Sequence, residues 1–116
     1  MTPFGQRLRE LRAERKRTLK DMAAVLKVSS AYLSALEHGH RGKPSSGLVQ
    51  QIAAYFNLAW DDVDELKRLA LISDPRVTID TSGLSPAATE LANRLAERIG
   101  ELDEATIAVM REKLEE

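Results

Sequence analysis

The sequence predicts a mainly α-helical chain: five short helices, a short strand, and two further helices. Three observations carry this. Apolar residues recur at helical spacing in seven separate segments. Ser, Thr or Asp stands in front of most of these runs, where its side chain can take up a free backbone N–H. Only one stretch, residues 75–82, has the alternation and the β-branched residues of a strand.

The first helix spans residues 4–16, with Phe4, Leu8 and Leu11 on one face. Pro3 suits its first turn, where a missing N–H costs nothing. Arg7, Arg9, Arg15, Lys16 and Arg17 make its exposed side basic. The second helix carries Leu19, Met22, Ala23 and Leu26, with Thr18 as cap. Lys27-Val28-Ser29 is a tight turn with Val28 as an apolar plug. Ser29 or Ser30 caps the third helix, which carries Tyr32, Leu33 and Leu36, and Gly39 closes it in a left-handed conformation. Two helices joined this closely form a helix-turn-helix unit. The second helix of such a unit is expected in the major groove of DNA.

Residues 40–46, rich in Gly, Pro and Ser, form a loop. Ser45 or Ser46 caps the fourth helix, with Leu48, Ile52, Tyr55 and Phe56 on one face. The fifth runs from about Asp61 to Leu71, with Val63, Leu66, Leu69 and Ala70 inward. Asp61 and Asp62 complement its dipole. Next comes the strand, with Val77, Ile79 and Thr81 alternating with Thr78 and Asp80. A lone strand has no ladder. It is therefore an extended linker, or it pairs with its copy in a second subunit. Ser85-Pro86 opens the sixth helix, with Leu84, Ala88, Leu91, Leu95 and Ile99 on its apolar face. Gly100 ends it or marks a bend, and Asp103 caps the last helix, which carries Ile107, Met110 and Leu114. The two could fold back as a hairpin.

Charge divides the 116-residue chain. Residues 1–58 hold 10 Lys and Arg against 4 Asp and Glu, a balance of +6, and residues 59–116 hold 7 against 14, a balance of −7. The basic half can release counterions from a polyanion; the acidic half would be repelled by one. Domains are expected at 1–73 and 74–116. The tail buries too little to stand alone. Its missing partner is the first domain or, as two-fold symmetry favours, a second subunit. Val77, Ile79, Leu84, Leu91, Leu95, Ile99, Ile107 and Met110 are the expected dimer contacts.

Residues 4–71 resemble the lambda-repressor-like (XRE, Cro/C1) family of helix-turn-helix regulators. The resemblance is carried by Leu8-x-x-Leu11-Arg12, by Thr18-Leu19-Lys20-Asp21-Met22-Ala23 and by Leu26-x-Val28-Ser29. Tyr32-Leu33-Ser34-x-Leu36-Glu37-x-Gly39 and Pro44-Ser45 complete it. It implies a sequence-specific, double-stranded-DNA-binding transcriptional regulator, a repressor reading a palindromic operator as a homodimer. It also implies an ion pair between Arg12 and Glu37 that ties the first helix to the recognition helix. Base edges would be read at Ser30, Ala31, Ser34 and Ala35, at the front of the recognition helix with Ser29. Tyr32 would lie near the sugar-phosphate backbone or pack through its ring in the core. Arg12 and the loop residues His40, Arg41 and Lys43 would approach phosphate, and Lys20 and His38 are expected among the DNA-binding residues. Lys27 stands where a glycine is frequent, so it adopts a left-handed conformation or the turn is built differently. Leu19 replaces a glutamine that many members use as a brace. The base-reading positions lack Arg, Asn and Gln, the side chains that make two-point contacts with bases. Shape, water and phosphate contacts would then carry more of the specificity. An alternative is an antitoxin-like autoregulator whose tail binds a protein partner.

Other chemistry is unsupported. His38 and His40 lack a third metal ligand nearby. The chain has no cysteine, no Gly-x-Ser-x-Gly turn and no glycine-rich phosphate loop. No catalysis, cofactor or metal is expected. No apolar run approaches the length of a membrane span, and the charged N-terminus does not read as a secretory signal. The cytoplasm is the expected compartment.

Overall fold

The structure, a computed structural model, describes residues 1–115. These divide into two compact units, Met1–Val77 and Thr78–Glu116.

The first unit is built from α1 (Pro3–Arg15), α2 (Leu19–Leu26), α3 (Ser30–Glu37), α4 (Ser46–Tyr55) and α5 (Trp60–Leu71). Local chemistry starts most of them. The Thr2 hydroxyl accepts from Gly5 N–H ahead of α1. Thr18 and Asp21 form a reciprocal capping box on α2, each side chain accepting the other's backbone N–H. Of the serine pairs, Ser29 caps α3 and Ser45 caps α4. Helix α5 has Ala59 at its cap position, with no side-chain bond; Asp61 and Asp62 in its first turn supply the compensating negative charge.

One device ends four of these helices. A left-handed residue turns the chain, and the next N–H reaches back to a carbonyl in the last turn. Lys16, Lys27, Gly39 and Asn57 are the left-handed residues. The reaching donors are Arg17, Val28, His40 and Leu58, bonded to the carbonyls of Arg12, Ala23, Ala35 and Ala53. Lys27 thus keeps the turn glycine's conformation at φ +59° without being glycine.

Helix α1 packs on α3 and α5, α2 on α3 and α4, and α4 on α5. The core lies between them: Phe4, Leu8, Leu11, Met22, Leu26, Leu33, Leu36, Leu48, Val49, Ile52, Phe56 and Leu66 are buried, with Ala23, Ala53 and Ala70. Leu19, Val28, Tyr32, Tyr55, Val63 and Leu69 are half-buried against it. Two polar residues are buried as well, Glu37 and Ser73. The Ser73 hydroxyl donates to the Leu69 carbonyl and accepts from Phe4 N–H at 2.8 Å, closing the end of α5 onto the start of α1.

The expected strand does not form: no strand occurs among the described residues. Residues 75–80 are irregular, with a bend at Pro75 and Arg76, and Val77 and Ile79 are exposed. The local chemistry there is that of turns. Arg76 N–H donates to Asp74 Oδ1, Ser82 N–H to Asp80 Oδ1, and Leu84 N–H to the Thr81 carbonyl. β-branched alternation favours extension, but a strand also needs a second backbone to pair with, and this chain supplies none.

The second unit contains α6 (Pro86–Arg98), a single 3-10 turn (Ile99–Glu101) holding Gly100, and α7 (Glu104–Leu114). Ser85 and Asp103 cap the two helices as their positions in the sequence predict. The Thr89 hydroxyl donates to the Thr81 hydroxyl at 2.8 Å, tying the segment before α6 to its first turns. Ile79 and Leu84 from that segment, Leu91 and Leu95 of α6, and Met110 and Leu114 of α7 line one apolar groove of about 490 Å³. None of residues 78–115 is fully buried.

Candidate nucleic-acid interface

The candidate site is the exposed side of α3 and the segments at its two ends. Leu33 and Leu36 turn one face of α3 into the core, while Ser30 and Ala31 are exposed and Tyr32, Ser34 and Ala35 are half-buried. Ser29 is committed to the helix start, because its hydroxyl accepts Tyr32 N–H at 3.0 Å.

Three contacts fix α3 against α1. Arg12 donates from Nε to Glu37 Oε2 at 2.9 Å and from Nη2 to Glu37 Oε1 at 3.0 Å. This is a two-point pair between planar groups of matching shape. The Glu37 side chain is only 1 % exposed and that of Arg12 17 %. Helix α1 also meets the end of α3 backbone to backbone at Gly5, where a Cβ would lie 2.1 Å from the Glu37 carbonyl oxygen. Thr2 N–H donates to that same oxygen at 3.4 Å. Arg12 and Glu37 are thus brought together as the resemblance implies. Nothing in the sequence distinguishes Gly5 from Gly47, a helical glycine whose Cβ would meet nothing within 4 Å.

The loop after α3 exposes His38, His40, Arg41 and Lys43. His38 Nδ1 lies 2.8 Å from the Ser34 carbonyl, and the His38 and His40 rings stack at 6.4 Å. The Arg41 guanidinium sits over the Tyr32 ring, 5.6 Å from its centroid. Tyr32 is therefore neither wholly core nor free. Lys43 and, on α2, Lys20 are exposed. No group of three or more side chains suited to a metal is gathered among the described residues.

The basic side of α1 differs from its sequence reading. Arg7 lies 3.5 Å from Glu10 and 3.6 Å from Glu14, which offset its charge. Arg15 donates to the Phe56 carbonyl, so its guanidinium anchors the end of α4. Glu10 and Glu14 lie one and two turns along α1, whereas the Phe56 carbonyl lies 41 residues along the chain, where the sequence alone does not point. Asp21, next to Lys20 in the first turn of α2, is held below the usual carboxylate range. The backbone N–H of Thr18 is the main cause, with its hydroxyl second.

A family model described as a helix-turn-helix domain matches residues 3–66. The chain belongs to this helix-turn-helix family. The match covers most of the segment whose motifs resemble lambda-repressor-like regulators. Among curated relatives is the "Uncharacterized HTH-type transcriptional regulator RghRB" of Bacillus subtilis (strain 168), 40 % identical over 63 residues, 54 % of this chain and 45 % of that protein. The "HTH-type transcriptional repressor RghR" of the same organism is 36 % identical over 61 residues, 53 % of this chain and 45 % of the relative. The "HTH-type transcriptional regulator DdrOP3" of Deinococcus deserti is 43 % identical over 60 residues, 52 % of this chain and 46 % of the relative. The aligned region thus spans under half the length of each relative. No solved structure matches the chain. No helix among the described residues is long and apolar enough to cross a membrane.

Proposed function

We propose that this helix-turn-helix chain is a sequence-specific DNA-binding transcriptional regulator that acts as a repressor. It binds a palindromic operator as a homodimer, with α3 in the major groove. The observation that carries the reading is the Arg12–Glu37 pair, which locks α3 to α1 with Ser30, Ala31 and Ser34 outside the core. A helix held by a buried carboxylate presents its outer side chains at one angle, as groove reading demands. Relatives named as transcriptional regulators, one of them as a repressor, support the same reading.

In this reading Ser30, Ala31, Ser34 and Ala35 face base edges. Lys20, His38, His40, Arg41 and Lys43 approach phosphate. Arg12 contributes chiefly by positioning, since its Nε and Nη2 both donate to Glu37. Small side chains allow close approach but weak direct readout, so DNA shape and a second half-site supply the remaining specificity.

The dimer contact assigned to the tail is the apolar groove of the second unit. Ile79, Leu84 and Leu91 are 57–60 % exposed, and Ile99 is 55 % exposed. Leu95 and Ile107 are half-buried and Met110 is exposed, while Val77 lies just outside the unit. Side chains of this kind gain about 1.5–3 kcal/mol each when fully buried, so a covering surface is strongly favoured. The alternative occupant is a protein partner, as in an antitoxin-like autoregulator.

Selection of bound duplexes from a random pool at stated salt tests the function. A palindrome with half-sites one helical turn apart is the expected outcome. Recovery of unrelated sequences overturns sequence-specific reading. Sedimentation of Leu91→Asp tests the dimer: a monomer is expected, whereas a wild-type sedimentation coefficient moves the interface elsewhere.

A further inference from the structure

Most arginines of the first unit with a described side-chain contact are used up by it. Arg7 faces Glu10 and Glu14, Arg12 faces Glu37, Arg68 lies 3.1 Å from Glu65, and Arg15 is spent on the Phe56 carbonyl at the end of α4. Arg41 is held differently. Its guanidinium rests over the Tyr32 ring, a partner without charge. The ring face attracts the cation through its quadrupole and leaves the full positive charge available to an anion.

The rest of the surroundings make this a fixed platform. The left-handed turn at Gly39 and the bond from His40 N–H to the Ala35 carbonyl bend the chain back over α3, which brings Arg41 above a residue one helix earlier. Tyr32 is half-buried and shares a shallow depression with Val28, Ser45, Leu48 and Gln51, so the ring is flanked by the helix-turn-helix turn and the start of α4. Two features usually in conflict are combined at Arg41: a restricted side chain and an unneutralised charge.

We infer that Tyr32 is a positioning residue whose ring holds Arg41 beside α3, so that the guanidinium meets one backbone phosphate of the bound duplex. This rests on the DNA-reading function proposed above. Pre-placing a long side chain removes part of the ordering cost that a free arginine meets on binding. Tyr32 therefore contributes to affinity only through Arg41.

A double-mutant cycle on the full chain tests this, using one labelled random-sequence duplex and fluorescence anisotropy over a salt series. Arg41→Ala should weaken binding and reduce the slope of log affinity against log salt by about 0.9 per bound protomer. Tyr32→Leu should weaken binding roughly two- to five-fold beside Arg41 and have no effect in the Arg41→Ala background. Tyr32→Phe, which keeps the ring face, should bind as wild type does. Equal losses from Tyr32→Leu in both backgrounds overturn the inference, as does a loss from Tyr32→Phe matching that from Tyr32→Leu. If Arg41→Ala changes neither affinity nor slope while the wild type binds DNA, the inference fails and the DNA-reading function stands. If the wild type does not bind duplex DNA at all, both fail. Should Tyr32→Leu not fold, the Arg41 side-chain proton shifts of the wild type decide: ring-current upfield shifts are expected, and random-coil values refute the contact.

Discussion

Replacing Arg12 with alanine should be among the most damaging single changes in the first unit. Its partner, Glu37, has a side chain 1 % exposed, and its two oxygens accept from Arg12 at 2.9 and 3.0 Å. Arg12→Ala removes both donors and leaves a carboxylate that water barely reaches. Breaking a buried pair in this one-sided way costs about 3–5 kcal/mol. Domains of this size are stable by only about 5–15 kcal/mol, so the variant should be close to unfolding. With a urea m-value of about 1–3 kcal/mol/M, the midpoint should fall by roughly 2 M, read by circular dichroism. Glu37→Ala should cost less, because the Arg12 side chain it strands is 17 % exposed and can turn toward water. The double change Arg12→Met, Glu37→Leu should recover most of the loss, since no unpaired charge is left inside. An Arg12→Ala loss below about 1 kcal/mol would refute the reasoning: Glu37 would then be satisfied without Arg12, and the pair would not be what holds α3.

Gly5→Ala should destabilise by about 1–3 kcal/mol, because its Cβ would meet the Glu37 carbonyl at 2.1 Å; Gly47→Ala, with nothing within 4 Å of its Cβ, should stabilise slightly in the same denaturation assay. Lys27→Gly should raise the thermal midpoint by relieving a left-handed lysine at φ +59°, worth about 0.5–1 kcal/mol after the added chain entropy of glycine; a lowered midpoint refutes this. Asp21, Asp80 and Asp103 are all held below their usual 3.8 by hydrogen bonds to their ionised forms. Their contribution is complete above the unfolded value and is lost as pH falls through the lower folded values. Stability should therefore decline below about pH 4, less steeply in Asp21→Ala than in the wild type. A chain ending at residue 77 should melt cooperatively, because all the buried apolar side chains lie within Met1–Val77; non-cooperative melting would refute the division.

Much of the first unit is legible in the sequence because its signals are local. Thr18, Ser29, Ser45, Ser85 and Asp103 each cap the helix that follows through a backbone N–H three residues on. A cap needs only its own turn of chain, so its residue type is enough to place it. The apolar faces of α1 to α5 are legible for the same reason, since helical spacing groups them before any tertiary contact exists. Residues 75–82 carry the alternation of a strand without forming one, because β-branched alternation reports a preference for extension, whereas pairing depends on a second backbone that sequence neighbours do not reveal.

The sequence by itself determined the starts of α2, α3, α4, α6 and α7, the helix-turn-helix unit and the division of charge between the two halves. Tertiary structure alone decided what those parts touch. The basic side read for α1 loses Arg15 to the Phe56 carbonyl, which arrives from another helix. Gly5 is required because the Glu37 backbone arrives from another helix. Arg41 finds Tyr32 only because the chain reverses at Gly39. Propensity and capping act within one turn of helix, and periodicity along one helix. Ion pairs between helices such as Arg12–Glu37, close backbone approach and the Arg41–Tyr32 contact depend on how separate segments pack, and no single segment contains that information.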